Sequence, residues 1–119
     1  MRLIAVCVFF AATLAADVTG KWRGMITTEM ASQTTGGEIP AYMVLEQSKE
    51  TVSGSAGGSE KMLFKIREGS LKGDRLIIEA SPKEDSVLRF VLVVKGEVIE
   101  GQVEENGRNI GTARLTRER

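Results

Sequence analysis

Short runs of alternating apolar and polar residues recur from Val18 onward, broken by Gly, Asn, Asp and Ser at intervals of about ten residues. A period of two sends successive side chains to opposite faces of a strand, and no helical period competes with it. The pattern predicts eight strands, at Val18–Glu29, Ile39–Gln47, Thr51–Ala56, Lys61–Glu68, Arg75–Ala80, Val87–Lys95, Val98–Glu105 and Arg108–Thr116. In the first of these Val18, Trp22 and Ile26 share one phase with Gly20 and Gly24. The two glycines leave room for the only tryptophan of the chain and let the strand coil.

The connections are short. Leu71-Lys-Gly-Asp-Arg-Leu76 and Val94-Lys-Gly-Glu-Val-Ile99 are near copies, 23 residues apart, of one tight turn in which glycine supplies a positive φ. Asn106-Gly107 predicts a type I′ hairpin. Met30–Glu38 is the longest irregular stretch, read either as a flap over an open barrel end or as a solvated connection. Consecutive antiparallel strands remove their edges by closing, so the expected fold is all-β, an eight-stranded antiparallel up-and-down (meander) β-barrel. Closure lays the last strand beside the first and brings Arg114 or Arg117 near Trp22. Arg117 shares the phase of Gly111, Ala113 and Leu115, so its guanidinium is the expected partner of the indole, worth roughly 1 kcal/mol.

The inward phases nominate lumen residues. They are Ile26 on strand one, Met43 and Leu45 on strand two, and Met62 and Phe64 on strand four, followed by Ile78, Phe90 and Leu92. A barrel of this size either fills itself or holds one small ligand, and this list has flexible methionines and few polar anchors. Any occupant is therefore apolar. Strand six is apolar in both phases, and its outward Val91 and Val93, with Leu63 and Ile77 on neighbouring strands, nominate an exterior interface.

The first residues change the compartment. Arg2, the apolar run Leu3–Ala12 and the small residues before Asp17 have the form of a secretory signal peptide, giving residues 1–16 as leader and 17–119 as one β-barrel domain. The apolar run is too short to span a membrane, so no stable insertion is expected after cleavage. Cys7 falls within the leader, so the mature chain has no cysteine and no disulfide, which suits a bacterial periplasmic or secreted protein. Basic and acidic residues number 16 each. Losing Arg2 leaves the remainder one charge negative, a poor match for nucleic acid.

Chemistry is thin. With no histidine, no cysteine in the mature chain and no metal-ligand or phosphate-cradle motif, neither enzymatic activity nor a cofactor is expected. Adjacent acids such as Glu104-Glu105 point to opposite strand faces and do not converge on one substrate.

Gly20-Lys21-Trp22 on the first strand with a late arginine resembles the Gly-x-Trp and terminal arginine of the calycin superfamily, the lipocalins and avidins. The chain is also similar to short exported bacterial barrels, many uncharacterised, that open with Thr-Gly-Lys-Trp, continue with Gly-Glu-Ile-Pro and repeat Gly-Asp-x-Leu/Ile turns. The resemblance implies a lipocalin- or streptavidin-like barrel with Gly20, Trp22 and Arg117 at its closure, and no particular activity. Avidin-type biotin sites use several tryptophans and lipocalins carry a flanking helix; neither occurs here. Two functions follow as expectations: binding of a small hydrophobic molecule in the lumen, or a protein-binding role, as homo-oligomer or secreted-hydrolase inhibitor, through the outside of strands four to six.

Overall fold

The computed structural model describes residues 17–28 and 37–118. The proposed leader and most of the Met30–Glu38 connection lie outside the described residues. Eight strands follow one another: β1 Gly20–Thr28, β2 Glu38–Ser48, β3 Thr51–Ser59, β4 Met62–Lys72, β5 Arg75–Lys83, β6 Ser86–Lys95, β7 Val98–Glu105 and β8 Arg108–Arg117. Each pairs antiparallel with the next and β8 returns to β1, closing the barrel. The expected meander is the observed one.

Strands three to five run longer than alternation alone predicts. Gly57 is paired with Tyr42 on one side and Leu63 on the other, so ladder bonds from both neighbours hold a glycine-rich segment that has little strand preference of its own. The turn between β3 and β4 shrinks to Glu60-Lys61, and that between β5 and β6 to Glu84-Asp85. The repeated turns behave alike, Gly73 and Gly96 having φ of 66° and 65°.

Register shifts interrupt several of the ladders, among them Thr51/Ser55 between β3 and β4 and Ala80/Lys83 between β5 and β6, and three others bear on the lumen wall. At Ile66/Glu68 the register of β4 slips against β5, bending β4. Between Gly57 and Ser59 β3 carries an extra residue, Gly58. Between Val103 and Glu104 the extra residue falls in β8, at Ile110, where the Gly111 N–H donates to Asn109 Oδ1 at 2.9 Å.

Where β1 meets β8 the strands approach so closely that inward positions hold glycine. A Cβ built on Gly24 would stand 1.9 Å from the Arg114 carbonyl oxygen. Only backbone movement could relieve that overlap. Gly24→Ala is expected to lower stability by about 2 kcal/mol or more in urea unfolding, with the m-value unchanged.

Candidate functional site

The barrel has two unequal halves. At the end holding the start of β1, inward positions carry large side chains: Trp22, Leu45, Leu76, Leu92, Ile99 and Leu115, all fully or almost fully buried. That half is packed solid. Toward the other end, β2, β3 and β5 turn small residues inward, Ala41, Ala56 and Ala80, and a cavity of about 280 Å³ opens among them. Ile26, Met43, Phe64, Phe90, Val103 and Ile110 are among the larger side chains of its apolar wall, and Thr28 and Glu105 are the polar side chains in its lining.

Of the expected lumen residues, Ile26, Met43, Phe64 and Phe90 meet around this cavity. Leu45, Ile78 and Leu92 face inward but belong to the packed core and do not line it. Met62 departs from expectation altogether. It is the first residue of β4, beside the Glu60-Lys61 turn and the β3 register shift, and is 63% exposed. Alternation missed Ile110, because the β8 bulge breaks the phase that runs through Gly111, Ala113 and Leu115. The inward alanines carried a legible signal in their size.

The solid end supports the open one through Arg117. Register sets Trp22 between Met43 and Arg117, and the guanidinium lies 4.5 Å from the indole centroid. Its Nη1 and Nη2 donate to the carbonyls of Thr19 at 2.6 Å and Asp17 at 2.7 Å, and its Nε donates to Glu97 at 3.1 Å. The indole N–H donates to the Val18 carbonyl at 2.9 Å. Gly20 lies against the same group: a Cβ there would be 3.0 Å from Arg117 Nη1. Asp17 also accepts the Thr19 N–H, a bond that holds its carboxyl below the ordinary range.

The next residue clasps β1 from outside. Glu118 bonds Arg23 at 2.9 Å, and Arg23 lies over the Tyr42 ring at 4.8 Å. Tyr42, which alternation sends outward, is only 2% exposed, and its hydroxyl donates to Glu118 at 3.1 Å. The hydrogen bond from Arg23 holds the Glu118 carboxyl below its ordinary range, whereas burial, then the Glu118 contact, pushes the Tyr42 hydroxyl up.

The exterior candidates do not form one patch. Ile77 pairs with Val91, and Val93, 37% exposed, is two residues further along β6. On β4, however, Ile77 is opposite Ser70, seven residues beyond Leu63, or roughly 20 Å along the strand. Lys65, Arg67 and the Arg89–Glu79 pair occupy the intervening surface. Over the β4 irregularity lies an open depression of about 500 Å³ walled by Arg67, Glu68, Glu79 and Arg89. Among the described residues no three His, Cys, Asp or Glu side chains gather as metal ligands, and no helix is long and apolar enough to cross a membrane.

No protein-family model matches the chain, and no curated protein matches it. Among solved structures it is similar to a protein described as a secretary abundant heat soluble (SAHS) protein from Ramazzottius varieornatus, crystallised from a dimer sample. The TM-score is 0.50 at 11% identity, covering 86% of this chain and 95% of that one. The likeness is one of fold alone, that of a closed antiparallel β-barrel.

Removing the guanidinium should loosen the solid end. Arg117→Ala is expected to cost about 2–3 kcal/mol in chemical unfolding. Arg117→Lys should recover less than half of that, because an ammonium cannot stack and also bond two carbonyls. Acid should act through Asp17, Glu100 and Glu118, whose carboxyls are held low by hydrogen bonds from Thr19, Lys95 and Arg23. Their folded forms bind fewer protons than the unfolded chain near pH 4, so their contribution is present above about pH 5 and is lost as pH falls below about 4. Urea midpoints across that window should show the fall, and Glu118→Gln should make it shallower.

Proposed function

We propose that the barrel binds one small apolar molecule in the open half of its lumen. The observation that carries the reading is the 280 Å³ cavity, walled by apolar side chains and continuous with a packed floor. It is about twice the roughly 150 Å³ of an engineered apolar cavity that takes up benzene. It also lies near the lower bound, about 300 Å³, of ordinary ligand pockets. A bicyclic aromatic or a medium-length alkyl chain matches it in size and polarity. Binding without chemistry accords with a chain that has no histidine.

The working compartment in this reading is extracellular or periplasmic, with residues 1–16 removed and 17–119 forming the one domain. Cleavage after Ala16 keeps Val18, which is fully buried, and Asp17, whose carbonyl binds Arg117. The mass of the exported protein should correspond to a chain beginning at Asp17; retention of the leader would refute this assignment.

A second reading, self-association through the outside of β5 and β6, draws on the Ile77, Val91 and Val93 column. It predicts an oligomer in light scattering that Val91→Glu converts to monomer. A wild-type monomer at all concentrations would remove it.

For the lumen, the apolar fluorophore N-phenyl-1-naphthylamine should bind saturably at one site with enhanced emission. Ala80→Phe, which extends a side chain into the cavity, should weaken it about tenfold or more while the far-ultraviolet dichroism stays native. Absence of saturable enhancement would defeat the reading.

A further inference from the structure

We infer that the lumen ligand has a protonated amine at one end of its apolar body, seated on Glu105 at the mouth; the inference rests on lumen binding itself. Glu105 is the one charged side chain in the cavity lining. It belongs to the inward phase of β7 with Val103, beside Leu88 of β6, and so stands at the rim directly above the apolar wall. Among the described residues it enters no ion pair, although other strand carboxylates such as Glu79 and Glu100 are paired with cations.

Its orientation is set from behind. Ser86, 7% exposed, donates its hydroxyl to Glu105 Oε2 at 3.0 Å, and the Ser86 carbonyl accepts the Ser81 hydroxyl at 2.7 Å. One carboxylate oxygen is thereby held, and Oε1 is left with no partner among the described residues. The nearest cations along the strands are Arg108, which is opposite Glu105 in the β7–β8 hairpin and lines a shallow outer pocket together with it and Ile110, and Lys83, opposite Ser86. Neither lines the cavity. An ammonium at the mouth would form the ion pair that Arg108 does not make with Glu105 and donate a charge-assisted hydrogen bond while its body stays among Ile26, Phe64 and Phe90. A carboxylate head would meet a like charge there, and an alcohol would forgo the charge.

Three ligands that differ only at the head decide the matter. Decylammonium, decanol and decanoate are titrated against the bound naphthyl probe at neutral pH and low salt. Decylammonium should displace it at a concentration about tenfold or more below that of decanol, with decanoate weakest. Glu105→Gln should abolish the difference between ammonium and alcohol. Equal displacement by decanol and decylammonium, tightest binding by decanoate, or a difference unchanged in Glu105→Gln would each overturn the head-group assignment while leaving lumen binding standing. Failure of the probe and all three ligands to bind would remove lumen binding and this inference with it.

Discussion

A cation stacked on an indole closes this barrel. Arg117 reaches Trp22 only because β8 lies beside β1, and from there it ties the chain before β1 and the turn before β7 to the same point. An eight-stranded meander has two edges to conceal, and pairing the last with the first conceals both. The stack and its hydrogen bonds sit where that seam meets the solid end of the lumen. Residue 118, on the opposite face of the strand direction, adds an outside clasp through Arg23 and Tyr42. Alternation along two consecutive residues thus grips β1 from within and from without.

With one end anchored, the volume of the inward side chains decides what the other end contains. A wall of Trp, Leu and Ile packs to the density of a protein interior; a wall in which three of the strands offer alanine does not. The cavity is a local deficit of side-chain volume inside an otherwise ordinary ring of strands. Its floor is stiff because it is the packed core. Its lining is polar at few points, Thr28 and Glu105.

The outer surface shows how strand register limits hydrophobic patches. Leu63 and Ile77 lie on adjacent strands and both face outward, yet their separation along the ladder and the charges between them keep them apart. Tyr42 is the converse: an outward aromatic hidden because register sets Arg23 beside it and the carboxyl-terminal segment crosses over it. Neither outcome can be read from residue type and phase alone.

Residue order alone was enough for the strand count, the glycine turns at Gly73, Gly96 and Asn106-Gly107, the inward phase of most strands and the pairing of Trp22 with Arg117. Alternation, glycine-bearing turns and the need to conceal edges are local or topological constraints that the order of residues expresses directly. Tertiary structure decided where the lumen is full and where it is empty, because that depends on which side chains from different strands share a level. It also moved Met62 out to the rim and turned Ile110 into the cavity. Both changes occur beside register shifts of a single residue, where the alternation of one strand is no longer in step with its neighbour. The paired register of the strands, which is a property of the closed ring and not of any one segment, set the composition of the cavity.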